Sequence, residues 1–241
     1  PSPSGKPSFL KGKTMFDWIK RKASPIAMGL ETEFPMVPAG QGGLLSGTHV
    51  ASNLGWRQAG ALSVGDKVLT FDHGMQPVAA IERETVYMPE GGFSPAQCPL
   101  YVPVDAIYNR APMWLMPDQG VMLESELAED DNGDPFVIVP ACALEGYRGI
   151  RRGQPGAKLE LVMPRCENDE VIYAEAGTLT YNPAPRSALE LAGGLTQSAY
   201  RVLGPREARQ LVVDLMADEA FWTPDLPMDP GGPAQLPAGA W

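Results

Sequence analysis

Between Gly43 and Val86, short β-prone runs alternate with turn residues so closely that no long helix fits, and this spacing constrains the fold more than any other stretch. Val64, Val68, Leu69 and Phe71 form one run, and Val78 with Ile81 a second. Between them, Asp72-His73-Gly74-Met75 has the composition of a hairpin loop. Gly65-Asp66 sits just before the second strand, where Gly takes positive φ and Asp accepts hydrogen bonds from neighbouring amides, a structural role. A strand around Thr48 to Ala51 closes on the turn Ser52-Asn53-Leu54-Gly55. Short strands spaced by polar turns predict an all-β architecture.

Further along, the pattern stays β-rich. Glu82 to Tyr87 continues as a strand broken by Pro89-Glu90-Gly91-Gly92, and Leu100 to Ile107 is a mostly apolar run that Pro103 confines to a sheet edge or a strand start. Met113 to Leu123 reads as a turn followed by a strand. Phe136 to Pro140 is apolar enough to be buried on both faces, and Leu159–Met163 and Glu170–Ala174 are two more strands. The acidic run Ala128 to Asp134 lacks the ligand order of a calcium-binding loop and reads as a solvated hairpin. From Pro205 the period changes. Ala208, Leu211, Val212, Leu215 and Met216 recur at helical spacing, with Pro205 in the first turn.

Both ends have a different composition. Residues 1–42 form a basic, Pro- and Gly-rich arm and linker, 43–221 the β domain with its C-terminal amphipathic helix, and 222–241 an irregular Pro- and Gly-rich tail. Within the arm, Thr14 to Lys22 predicts a short helix capped by Thr14, too short to stand alone. It docks either on its own domain or on an acidic partner or anionic membrane surface. The net charge of −10 is unevenly spread: residues 1–22 hold six cations against Asp17, a net of +5, and leave −15 on the remainder. That acidity argues against nucleic acid as a partner. Cys98, Cys142 and Cys166 are isolated, which suggests neither a zinc site nor a disulfide framework. With no apolar span or signal-type segment, the expectation is a cytoplasmic protein without cofactor or metal.

Gly47-Thr48, Val64-Gly65-Asp66-Lys67-Val68-Leu69-Thr70, Val139-Pro140-Ala141-Cys142-Ala143-Leu144 with Gly149-Ile150-Arg151-Arg152, and Glu170 to Glu175 resemble successive blocks of a Hint domain. This is the module shared by inteins and the C-terminal part of hedgehog proteins, and the similarity is closest to its short stand-alone bacterial group. The resemblance spans about Gly43 to Leu215 and implies a Hint-type β fold. In that family, a Cys or Ser four residues before the Gly-Thr attacks the preceding carbonyl, and a Thr-x-x-His motif distorts and protonates the scissile amide. The nucleophile position here is Gly43, and the Thr-x-x-His position falls on Met116-Pro117-Asp118-Gln119. A thioether replaces the hydroxyl, and a carboxamide, which can donate a hydrogen bond but cannot exchange a proton near neutral pH, replaces the imidazole.

Nothing obvious substitutes. Ser46 lies three residues from the expected position without a base, His49 reads as a surface strand residue, His73 as a solvated hairpin tip, and Cys142 and Cys166 lack a neighbouring His. The leading expectation is therefore a catalytically inactive Hint-fold scaffold or assembly module. Its partner contacts are expected through Phe16, Trp18, Lys20, Arg21 and Lys22 in the arm and through Trp222 and Trp241 in the tail. The alternative is self-cleavage near Gly43 by a non-standard nucleophile, or hydrolysis in the cleft left behind.

Overall fold

Fourteen strands and one α-helix follow one another in a computed structural model that describes residues 39, 42–185 and 198–222. In chain order the strands are β1 (Leu44–Leu45), β2 (His49–Ser52), β3 (Gly55–Gln58), β4 (Lys67–Thr70), β5 (Gly74–Pro77), β6 (Ala80–Tyr87) and β7 (Leu100–Val102). They continue with β8 (Met113–Leu115), β9 (Gly120–Glu124), β10 (Phe136–Pro140), β11 (Arg151–Arg152), β12 (Lys158–Arg165), β13 (Glu170–Ala174) and β14 (Thr178–Asn182). The helix α1 (Pro205–Trp222) closes the described chain. The strands build two antiparallel sheets. One has the order β11-β7-β8-β1-β12-β6, and the other β10-β9-β14-β13-β2-β4-β5 with β3 paired to β2.

The tight turns form where the residue types demand them. Ser52 faces Gly55 across the β2–β3 turn, and the Ser52 hydroxyl donates to the Gly55 carbonyl at 2.7 Å. Gly65 adopts φ +92°, and Asp66 accepts from the Ser63 amide at 2.9 Å while pairing with Arg57 at 3.0 Å. The hairpin after β4 is shorter than its apolar pattern suggests: Thr70 already faces Gly74, so the second strand ends at Pro77 and Ile81 belongs to β6.

Two further boundaries move. The run from Leu100 stops at Val102, because Pro103 opens a loop held by the fully buried Asn109. The Asn109 side chain donates to Pro103 O and Ala111 O and accepts from the Ile107 amide. Met113 to Leu123 is a strand on both sides of a turn, not a turn followed by one strand.

The unbroken apolar run of β10 has a clear cause. Val137 and Val139 enter the large core with Val121 and Leu123 of β9, while Ile138 points the other way to join Met122, Val171 and Tyr181. With both faces buried, period-two alternation carries no polar side. The apolar stripe of α1, Ala208, Leu211 and Val212, packs into the same large core, with Leu215 and Met216 at its margin. Its immediate neighbours are β10, the buried turn Ala141–Leu144 and the turn Glu126–Ala128. Arg209 anchors the helix by donating to Ala143 O at 3.0 Å and Glu145 O at 2.7 Å. No helix among the described residues is long and apolar enough to cross a membrane.

Candidate functional site

Gly43 stands at the head of β1, a two-residue strand wedged between β8 and β12 through the pairs Leu44–Leu115, Leu44–Val162 and Leu45–Leu161. The β8–β9 turn is closed by the Gln119 amide donating to Met116 O at 3.0 Å. It is tied back to the chain after β10 by Ala141 N to Gln119 O and Cys142 N to Pro117 O. Two elements separated by 76 positions thus meet at the Gly42–Gly43 peptide.

The contact is built from consecutive acceptors on consecutive amides. The Gly43 amide donates to Gln119 Oε1 at 2.9 Å, and the Gly42 amide to Asp118 Oδ2 at 3.2 Å. Gln119 is 1% exposed, and its Nε2 donates to Gly120 O at 3.0 Å and Tyr181 O at 2.9 Å. Both amide protons and the carbonyl of that side chain are therefore committed. Towards Gly43 it acts as an acceptor, whereas the sequence suggests a donor. A neutral carboxamide in this place holds the peptide nitrogen without offering it a proton.

Glycine is required at both members of the pair. Gly42 has φ +54°, and a Cβ there would lie 2.6 Å from Gln119 Oε1. Gly43 has φ +148°, and its Cβ would sit 3.3 Å from Leu161 Cβ and 3.5 Å from Met163 Cγ. Beside the pair lies a cleft of about 490 Å³, lined in part by Gly42, Met116, Pro117, Asp118, Glu84 and Leu161.

The other candidates are placed elsewhere. Ser46 lines a different concavity, of about 480 Å³, with Thr48, Trp114 and Glu175. His49 is exposed, as the strand pattern predicts, and its Nδ1 lies 3.4 Å from Glu175 Oε1, which also accepts from the His49 amide at 2.7 Å. His73 is at its hairpin tip but is not simply solvated: its Nδ1 lies 3.0 Å from Oε2 of Glu170, a carboxylate only 2% exposed. That hydrogen bond and the Glu170 charge raise the His73 pKa above the ordinary 6.5. Cys142 is buried, Cys98 donates to Gly153 O at 3.3 Å, and burial followed by the Glu170 charge pushes Cys166 up to about 11.

Among the described residues no group of three or more His, Cys, Asp or Glu is arranged to hold a metal ion. Phe16, Trp18, Lys20, Arg21, Lys22 and Trp241 lie outside the described residues, and of Trp222 only the helical backbone is described. Asp118 and Glu170 are the site-forming residues that the sequence does not single out. Asp118 had a signal, its place beside Gln119 in the four-residue block. Glu170 had none, since it reads only as the first residue of a strand.

Two mainly antiparallel sheets built from short strands thus surround a buried junction at the head of β1. The chain belongs to the Hint domain family, whose model matches residues 43–180, more than half of its length. The match begins at the glycine whose amide Gln119 holds. Among solved structures, the chain is similar to the gp41-1 intein, at 14% identity over 59% of this chain and 100% of that one, with a TM-score of 0.36. It is likewise similar to the AceL NrdHF class 3 split intein, at 13% identity over 60% of this chain and 99% of that one, TM-score 0.36. The MchDnaB-1 intein is 13% identical over 58% of this chain and 99% of that one, TM-score 0.36. No curated protein matches the chain.

Proposed function

We propose that this Hint domain is a catalytically inactive scaffold, a protein-interaction or assembly module that engages partners through its terminal arms. One observation carries the reading: Gly43, at the family's nucleophile position, has φ +148° and no room for an unshifted side chain beside Leu161. Any side chain there would strain the backbone and press on Leu161, which supports the reading that this position does not serve as a poised nucleophile. Gln119 supports the same view, because a saturated carboxamide stabilises the junction and cannot protonate it. A segment of net +5 over residues 1–22, ahead of a remainder carrying −15, supplies the chemistry for recognition through the arm. The three isolated cysteines fit a reducing, cytoplasmic setting.

The test is intact-mass measurement of the full chain after prolonged incubation with and without a thiol. An unchanged mass is expected, and a fragment beginning at Gly43 would sink the proposal. For the interaction half, a chain that is strictly monomeric and whose arms stay protease-sensitive in native-host extract would count against it.

A second reading, self-cleavage near Gly43 by a non-standard nucleophile, is favoured by Asp118. Its carboxylate lies 3.2 Å from the Gly42 amide and lines the cleft beside the bond. If that reading holds, Asp118→Asn abolishes a cleavage that the unaltered chain performs in the same mass measurement.

A further inference from the structure

The His73–Glu170 pair borders a concavity that plays no part in the junction at Gly43. It holds about 350 Å³ and is lined by Phe71, Met122, Phe136 and Tyr200 together with the carboxylates of Asp72 and Asp134. Phe71 and Phe136 meet edge to face with centroids 4.9 Å apart, and Tyr200 packs edge-on to Tyr181 at 6.0 Å. These rings are half-buried: they pack on the core of Met122, Ile138, Val171 and Tyr181 and still contribute surface to the concavity.

Three properties converge on one ligand chemistry. Among the described residues that line the pocket there is no lysine or arginine, and the cationic partner beside its carboxylates is the His73 ring. Glu170 beneath is engaged by His73 and adds negative field, not a free contact. The Tyr200 ring closes one side of the concavity with its hydroxyl buried beneath it, close enough to Asp72 that burial, and then this carboxylate, raise the phenol's pKa. Aromatic surface backed by carboxylates attracts an organic cation by ring quadrupole and charge together. A neutral aromatic guest would desolvate Asp72 and Asp134 with no return. The volume is at the small end of ligand sites, which run from about 300 to 1,000 Å³.

We propose that this pocket binds an alkylammonium group of the kind carried by a lysine side chain. The ammonium sits between Asp72 and Asp134, while its methylenes lie against Phe71 and Phe136.

The test follows backbone amides of the full chain by ¹H–¹⁵N correlation spectra at pH 8 during titration with three probes. These are Nα-acetyl-lysine N-methylamide, its neutral Nε-acetylated form, and n-butylammonium chloride. Saturable shifts centred on Asp72, His73 and Asp134 are expected with either cation and not with the neutral form. Shifts with butylammonium alone would mark a free amine as the ligand, and shifts with both would mark a side chain presented by a polypeptide. Phe136→Leu keeps apolar bulk without the π face, and Asp134→Asn keeps the oxygen that accepts from the Phe136 amide. Each is expected to weaken binding by at least about threefold while the spectrum stays dispersed as in the unaltered chain. No saturable shift with either cation, an equal response to the neutral probe, or affinity unmoved by both substitutions would overturn the proposal.

Discussion

The side-chain carbonyl of Gln119 accepts the backbone amide of Gly43 at 2.9 Å, across 76 positions of sequence. That single bond joins the head of β1 to the β8–β9 turn, and through Gln119 Nε2 it reaches the β14 backbone at Tyr181. Gln119 is a three-way structural staple.

Replacing Gln119 by Leu tests the staple. The change deprives the Gly43 amide and the Gly120 and Tyr181 carbonyls of their partner in a region that is 1% exposed. Unpartnered buried polar groups are costly, so a loss of about 3 kcal/mol is expected, read as a lower urea midpoint with unchanged slope. Gln119→His, which returns the imidazole, cannot serve all three partners. It is expected to be destabilised as well, with no fragment in the mass spectrum.

Gly43→Cys tests whether a thiol at the head of β1 can act on the preceding peptide bond. At φ +148° a side chain is strained, and the new Cβ would press on Leu161 at 3.3 Å. A destabilisation of about 1–2 kcal/mol is expected by thermal or urea unfolding. The intact mass should remain that of the full chain during incubation with thiol. Thiol-dependent release of the segment before Cys at this position would show that the backbone still tolerates the family's geometry.

The His73–Glu170 contact predicts a pH dependence with a definite sign. Glu170 raises the folded-state pKa of His73 above 6.5, first through the hydrogen bond and then through its charge, with Asp72 adding in the same direction. The folded state therefore binds the proton more tightly than the unfolded chain. The stability this confers is fully present below about pH 6.5 and disappears as pH rises through the folded-state pKa. The unaltered chain should out-stabilise His73→Gln at about pH 6, with the gap closing by about pH 8. A gap that widens with pH would refute the pairing, and an NMR titration of the His73 ring with a midpoint at or below 6.5 would do the same.

What the sequence reveals of all this follows the range of the interactions. The turns at Gly55, Gly65 and Gly74 and the helix from Pro205 depend on neighbours a few positions away, and they are legible. Four resembling blocks in order were enough to indicate the family. By contrast, β1 and β11 have two residues each and are too short to leave a period. The strand β14 hides for another reason. Thr178 and Thr180 are fully buried, and their hydroxyls are satisfied by the carbonyls of Ile107 and Ile172, so polar residues occupy the inward positions. At the site, the alignment of Gly43 with Met116 and Gln119 is readable from the blocks. The φ of Gly43, the direction of the Gln119 amide and the partnership of His73 with Glu170 exist only once distant segments pack.

Arg165 offers a final test of how the two sheets are held together. The residue ends β12 in one sheet, is 2% exposed, and donates from Nη1 to Pro183 O at 3.1 Å, just beyond β14 of the other sheet. On its other side the guanidinium faces Glu82 of β6, with Nε 3.3 Å from Oε1. Glu82 is half-exposed, so the ion pair by itself contributes little. The buried hydrogen bond to Pro183 and the packing of the aliphatic stem carry the effect. Accordingly Glu82→Gln should cost less than about 1 kcal/mol, whereas Arg165→Ala should cost about 3 kcal/mol. Arg165→Met restores the stem without the donors and should fall between the two. Equal losses for Glu82→Gln and Arg165→Ala in urea unfolding would show that the ion pair, and not the link to Pro183, is what joins the sheets.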